Sequence, residues 1–280
     1  MIDKPSQQIL NATQKIARGD FNVKLTPLHQ YNKFDQYDTI MDNINKMAKE
    51  LSKSEILKND FISNVSHEIK TPLAIIQNYA KLLSQSDLDS QTKQKYVHNL
   101  TQASQKLSNL VSNILKLNKL ENQTIQESNQ STNLSEVLRQ TILQFENLFN
   151  KKNINLEIDI EEIVCTTNST HWEIIFNNLI SNAIKFTKDN GSINIRLYVE
   201  KQNIIFSVKD TGCGISNEIG QHIFEKFYQG DTSHSHEGNG LGLALVKKII
   251  DIMGGNIKVE SEPNVGSVFT VITSKENYEV

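Results

Sequence analysis

The 280 residues suffice for two or three domains, and a net charge of −3 gives no electrostatic reason to expect a nucleic-acid partner. Two cysteines, Cys165 and Cys213, are too few and too poorly spaced for a disulfide framework or a zinc site, which points to a reducing cytoplasm. No apolar run reaches the roughly 18 residues a membrane-spanning helix needs and no signal peptide is visible, so the chain by itself is expected to be soluble.

Residues 1–58 read as two amphipathic helices around a connector. Pro5 opens the first, Ala12 and Ile16 lie on its apolar face, and Arg18-Gly19-Asp20-Phe21 breaks it. In the second, Ile40, Ile44, Met47 and Leu51 recur in heptad steps. Between Leu51 and Leu57 the apolar phase slips, as at a junction between two coiled coils.

Residues 59–123 read as a helical hairpin. Its first arm carries the seam Val65, Ile69, Pro72, Ile76, Tyr79 and Leu83. After a turn at 84–87, the second arm carries Tyr96, Leu100, Ala103, Leu107, Leu110, Ile114 and Leu117. Two such stripes are poorly buried by one hairpin, which predicts a homodimer closing a four-helix bundle. Residues 121–132 are polar and read as a hinge.

His67 lies off the first seam, on the outward heptad position, beside Glu68 and one turn before Thr71, with Pro72 following. Proline removes an N–H and crowds the carbonyl of Glu68, so a local bend is expected there. On position alone His67 equals His98 of the second arm, another outward histidine. The neighbours separate them: Ser66-His67-Glu68-Ile69-Lys70-Thr71-Pro72-Leu73 resembles the phospho-acceptor box of bacterial sensor histidine kinases. That resemblance implies that His67 is phosphorylated, that Glu68 is the general base polarising its imidazole, and that Thr71 orients water when the same unit dephosphorylates its partner.

From residue 131 to the end the pattern alternates helices and strands: helix at 137–149, strand at 154–160, helix at 172–186, and a strand pair at 193–198 and 204–209. In Asn178-Leu179-Ile180-Ser181-Asn182-Ala183-Ile184-Lys185-Phe186 the two asparagines are one turn apart, so their amides share a helix face. Asp210-Thr211-Gly212-Cys213-Gly214 ends a strand with a carboxylate and closely spaced glycines. Ile223-Phe224-Glu225-Lys226-Phe227-Tyr228 is an aromatic box, and Gly238-Asn239-Gly240-Leu241-Gly242-Leu243-Ala244 opens a helix whose free N–H groups suit phosphates. Together these resemble the ATP-binding domain shared by histidine kinases, gyrase, Hsp90 and MutL, a two-layer α/β sandwich.

By that resemblance Asn182 is the main Mg²⁺ ligand with Asn178 assisting, Lys185 meets phosphate, Phe186 packs near the base, and Asp210 accepts the adenine amino group. Gly212, Gly214, Phe227, Gly238, Gly240, Leu241, Gly242 and Leu243 complete the ATP cradle. The family pattern often places an arginine after the aromatic box, where this chain has Gln229 and no arginine beyond Arg196. Lys226 is the expected substitute on the terminal phosphates, with His234 and His236 as the competing cations and a solvated surface lysine as the plain alternative. Residues 1–58 resemble most of a HAMP signal-relay module.

The whole pattern, α plus α/β, implies a dimeric kinase that moves phosphate from Mg·ATP to His67 and on to an aspartate of a response regulator. Its expected place is the cytoplasmic side of a bacterial membrane, anchored through a segment preceding residue 1. An ATP hydrolase of the gyrase type is the alternative, but its water-activating glutamate is replaced here by Asn178, whose amide takes no proton. A degenerate receptor module is opposed by the intact boxes.

Overall fold

The structure is a computed structural model that describes residues 4–29, 35–84, 88–121, 129–229 and 239–274. Its chain divides into two compact units, residues 1–70 and 71–280.

In the first unit, helix α1 (Lys4–Ala17) leads through an extended connector to α2 (Gln36–Leu83). Side chains of α2 hold the connector. The Asn45 amide grips Leu25 at both ends, accepting from its N–H and donating to its carbonyl, each at 2.7 Å. Asp35 and Asp38 form a reciprocal cap: the Asp38 N–H donates to the Asp35 carboxylate at 2.9 Å and the Asp35 N–H to that of Asp38 at 3.2 Å. Asp38, fully buried, also accepts from the Leu28 N–H and lies 2.7 Å from His29 Nδ1.

Of the predicted stripe Ile40, Ile44, Met47 and Leu51, only Ile44 is buried; Met41 and Ala48 are buried with it. Two faces are interleaved on this helix, and the heptad face is the one left in solvent. The slip in apolar phase between Leu51 and Leu57 occurs within one continuous helix, since α2 runs for 48 residues, through Pro72 as well. Among the described residues no helix is long and apolar enough to cross a membrane.

In the second unit, α3 (Ser90–Glu121) is capped by Asp89, which accepts from the N–H groups of Gln91 and Thr92 at 2.9 Å, and the end of α2 meets α3 through Tyr79 and Tyr96, rings 5.3 Å apart. From α3, Ala103, Leu110 and Leu117 of the predicted seam are buried. Seven strands and five helices follow among the described residues: β1 (Gln130–Asn133), α4 (Leu134–Gln144), α5 (Glu146–Lys151), β2 (Asn155–Ile160), β3 (Val164–Thr167), α6 (Ser169–Phe186), β4 (Ser192–Glu200), β5 (Asn203–Asp210), α7 (Asn217–Gly220), α8 (Gly242–Ile252), β6 (Asn256–Glu262) and β7 (Gly266–Ser274). Residues 130–132, expected to be the end of a polar hinge, pair antiparallel with β3 instead, together with Asn133. The helix expected at 137–149 is two helices divided at Phe145.

Five strands form one sheet in the order β2-β4-β5-β7-β6, parallel between β2 and β4 and antiparallel elsewhere. α6 packs on β5, with α4 and α8 beside it, giving the two-layer sandwich. Its core is the aromatic stack of Trp172, Phe176 and Phe206, with ring centroids 5.4 and 4.6 Å apart and all three side chains fully buried. The Trp172 indole N–H donates to Thr167 Oγ1 at 3.1 Å, so the buried ring leaves no polar atom unpaired. Lys152 closes the C-terminus of α6, its ammonium donating to the carbonyls of Ile184, Lys185 and Thr187 at 2.7, 3.1 and 2.8 Å.

The Asp38 cluster makes a pH prediction for the first unit. The hydrogen bond to Asp38 holds the His29 pKa above its ordinary 6.5, against a smaller opposing effect of burial. Burial pushes the Asp38 carboxyl up, but the bonds from His29, Leu28 and Asp35 outweigh it and leave its pKa below 3.8. The histidine contribution is complete below pH 6.5 and lost as pH rises through its raised value; the carboxylate contribution is complete above pH 3.8 and lost as pH falls through its lowered value. Stability of residues 4–70 should therefore be greatest between those two pH values. Helix circular dichroism melts across pH, with fluorescence of Trp172 tracking the sandwich separately, should show that plateau in the wild type and lose its high-pH limb in His29→Gln.

Candidate functional site

A cavity of about 710 Å³ opens in the second unit where α6, the end of β5, the start of α8 and one face of α3 meet. That is the size of pockets that take small molecules. From α6 it receives Asn178, Ser181, Asn182, Lys185 and Phe186, the residues a 3.6-residue period puts on one face. The Asn178 Nδ2 donates to the Ile174 carbonyl at 2.8 Å, which turns its Oδ1 toward α8. There Gly242 leaves it room: a Cβ on it would lie 2.5 Å from that oxygen, so the amide would have to move. Asn182 lines the cavity half-buried, and its amide oxygen is a hard donor of the kind Mg²⁺ accepts beside substrate phosphates. The Lys185 ammonium stands 4.5 Å from the centroid of the Phe186 ring.

Asp210, at the last position of β5, is 5 % exposed and also lines the cavity. Burial pushes its pKa above the ordinary 3.8, against the lowering effect of the N–H groups of Gly212 and Ser267; the Gly212 bond is 2.8 Å. Gly212 is not a lining residue. Its part is close approach, because a Cβ there would come within 2.7 Å of both Asp210 Oδ1 and the Phe186 carbonyl. Gly214 does line the cavity.

Of the aromatic box, Ile223 and Tyr228 face the cavity, together with Gln229. Phe227 braces the glycine loop instead. Its φ is +63°, its N–H donates to the Gly240 carbonyl at 2.9 Å, and Gly240 itself has φ +65° with Phe227 too close for any side chain. A phenylalanine in that region costs on the order of 1–3 kcal/mol, which the loop contacts must offset. Lys226 does not reach the cavity wall. It pairs with Glu121 at the end of α3, and both side chains are about 40 % exposed, a setting in which an ion pair contributes little.

Gly240, Gly242 and Leu243 line the cavity. Leu241 is buried behind them at the N-cap of α8, where it offers no side-chain acceptor, so the first-turn N–H groups of α8 have no side-chain cap. Gly238, His234 and His236 lie outside the described residues. On α2, His67 and Thr71 are exposed and Glu68 is half-buried.

Sequence reasoning missed one wall altogether. Gln102, Gln105, Lys106, Asn109 and Asn113 of α3 line the same cavity. Their spacing was visible as the polar back of an apolar seam, a pattern that by itself signals only a solvated face.

Two family models match the chain. Residues 57–123 match the His Kinase A phospho-acceptor domain, and residues 167–277 match the histidine kinase-, DNA gyrase B- and HSP90-like ATPase domain. The chain belongs to the sensor histidine kinases. The Heme sensor protein HssS of Staphylococcus saprophyticus is 31% identical over 274 residues, covering 98% of this chain. The chain spans 58% of that relative's length. Among solved structures, the Acinetobacter baumannii histidine kinase AdeS covers 75% of this chain and 98% of its own, at 26% identity and a TM-score of 0.62. Full-length ShkA in complex with AMPPNP covers 79% of this chain and 46% of its own, at 25% identity and a TM-score of 0.58. The α6, β5 and α8 walls of the cavity fall within the matched ATPase domain, and its α3 wall falls within the matched phospho-acceptor domain.

Because Gly242 leaves room for Asn178, Gly242→Ala should displace that amide while sparing the fold. The expected result is an ATP dissociation constant raised about tenfold or more, one charged hydrogen bond's worth, with the Trp172 unfolding transition nearly unmoved. Titration calorimetry beside a fluorescence melt measures both; an unchanged affinity would remove Asn178 from the site.

Proposed function

We propose that the chain is the catalytic part of a homodimeric kinase that transfers the γ-phosphoryl group of Mg·ATP to His67 and then to an aspartate of a response-regulator receiver domain. The observation that carries this reading is the pairing, in one chain, of an exposed histidine in an acceptor box with a nucleotide cavity built from Asn178, Asn182, Asp210 and the start of α8. The proposed division is a HAMP-like relay at 1–58, an acceptor hairpin at 59–123 and an ATP-binding domain at 131–280, in a protein held at the cytoplasmic side of the membrane.

In the transfer step Glu68 takes up the imidazole proton, and the unprotonated nitrogen of His67 attacks the γ-phosphorus. A P–N bond forms, the P–O bond to the β-phosphate breaks, and ADP leaves. Phosphoryl transfer depends on positioning and charge stabilisation more than on covalent help. Asn182, assisted by Asn178, is suited to hold Mg²⁺, which would neutralise phosphate charge. Asp210 selects adenine by accepting its amino group, and Gly214, Gly240, Gly242 and Leu243 shape the phosphate side. Thr71, one turn beyond His67, is assigned to orient water for dephosphorylation of the regulator. Hydrolysis of ATP by the gyrase route is disfavoured, since Asn178 stands where a general base is needed and donates its own N–H to Ile174.

Incubation with γ-labelled ATP tests the reading. The label should be acid-labile and base-stable, absent in His67→Gln and present in His98→Gln. Glu68→Ala should slow labelling by roughly two orders of magnitude or more, the usual worth of a general base. Thr71→Ala should keep labelling and lose most regulator dephosphorylation. Label on His98, or equal loss of both activities in the Glu68 and Thr71 variants, would overturn these assignments.

A further inference from the structure

ATP remains anionic after it binds Mg²⁺, and this chain has no arginine beyond Arg196 to meet the residual charge. The cations of the cavity can be identified from its lining: among the described residues they are Lys185 and Lys106. Lys185 belongs to the α6 face already described, and Lys226 is drawn off to Glu121. Lys106 comes from a different element, the second arm of the acceptor hairpin.

Its placement there is specific. α3 buries Ala103, Leu110 and Leu117 on one side, while Gln102, Lys106, Asn109 and Asn113 recur at steps of four, three and four along another. The helix packs against α8, whose first residue, Gly242, lines the same cavity. At the C-terminal end Leu120 packs on the core of the sandwich, which holds the polar stripe against the opening. Beside the stripe, Gln105 Nε2 donates to Asn109 Oδ1 at 3.0 Å. Lys106 makes no ion pair or hydrogen bond with any described residue. An exposed lysine on a helix back is ordinarily just solvated; this one lines the cavity that must accept a polyanion.

We propose that Lys106 binds the terminal phosphates of ATP and supplies, from the hairpin and beside Lys185, the cationic contact for which the ATP-binding domain has no arginine beyond Arg196. This inference rests on the nucleotide reading of the cavity. Its consequence is that triphosphate affinity depends on the domain being docked on α3, because one of the charges that hold the phosphates comes from that helix. Adenine recognition through Asp210 needs no such docking, so AMP should be indifferent to Lys106.

The test is equilibrium binding of ATP, ADP and AMP, each with Mg²⁺, to the full chain and to Lys106→Gln, Lys106→Arg and Lys116→Gln. Lys116 is an exposed lysine of the same helix that does not line the cavity. Lys106→Gln should weaken ATP on the order of tenfold, ADP less and AMP not at all, the size of one charge-assisted contact. Lys106→Arg should recover most of the loss, and Lys116→Gln should bind as the wild type does. The wild-type preference for ATP over AMP should fall with added salt more steeply than in Lys106→Gln. ATP affinity unchanged in Lys106→Gln, or equal losses for all three nucleotides, would overturn the assignment of Lys106 alone. A wild type that binds none of the three would overturn the nucleotide reading and Lys106 with it.

Discussion

The site depends on one buried charge. Asp210 ends the central strand β5, between β4 and β7, and no cation among the described residues pairs with it. Ionisation there is opposed by burial and supported only by two backbone N–H groups, from Gly212 and Ser267. A carboxylate so placed cannot relax toward water, because the ladders on both sides fix its backbone. The chain must also pass close to it. At Gly266 a Cβ would lie 2.0 Å from the Asp210 carbonyl, and at Gly212 it would strike the carboxylate itself. Such an acceptor is best compensated by a donor that arrives from the cavity, and the adenine amino group is one.

Around this acceptor the helical layer supplies the phosphate side. α6 can present Asn178, Asn182 and Lys185 together only if its end is well anchored, and the Lys152 ammonium on three terminal carbonyls provides that anchor. The approach of α8 is then set by contact between Gly242 and Asn178. One interaction positions both the amide suited to Mg²⁺ and the helix start suited to phosphate. Phe227 in its left-handed conformation extends the same logic to the glycine loop, since its strain is tolerated only because Gly240 packs directly on it.

Local periodicity made part of the structure legible in the sequence: the α6 face, the hairpin seams and the alternation of strands and helices follow from steps of two, three and four residues. The acceptor turn at His67 and the two-layer sandwich were implied instead by resemblance of short motifs to a family, since position alone left His67 equal to His98. What was not legible depended on residues far apart in the chain. β1 reads as hinge because Gln130–Asn133 is polar; it becomes a strand through pairing with Val164–Thr167. Lys152 carries no motif, and its role exists only once α6 ends beside it. Lys226 sits inside a family box, yet Glu121, 105 positions away, holds it. The stripe on α3 reads as solvent-facing until α8 is packed against it.

The first unit shows the same limit in another form. Ile40, Met47 and Leu51 keep heptad spacing but stay 37 to 46 % exposed, while Met41, Ile44 and Ala48 of the interleaved face are buried. Farther along α2, Ile56, Leu57 and Ile62 are more than half exposed, again with no cover from their own chain. A helix of 48 residues that leaves this much apolar surface in water gains by pairing with a copy of itself. On α3 the buried seam and the polar stripe coexist in the same way: one side is satisfied by packing, the other lines the cavity. Long helices here carry two faces with two destinations, and a rotation or shift of such a helix would alter both together.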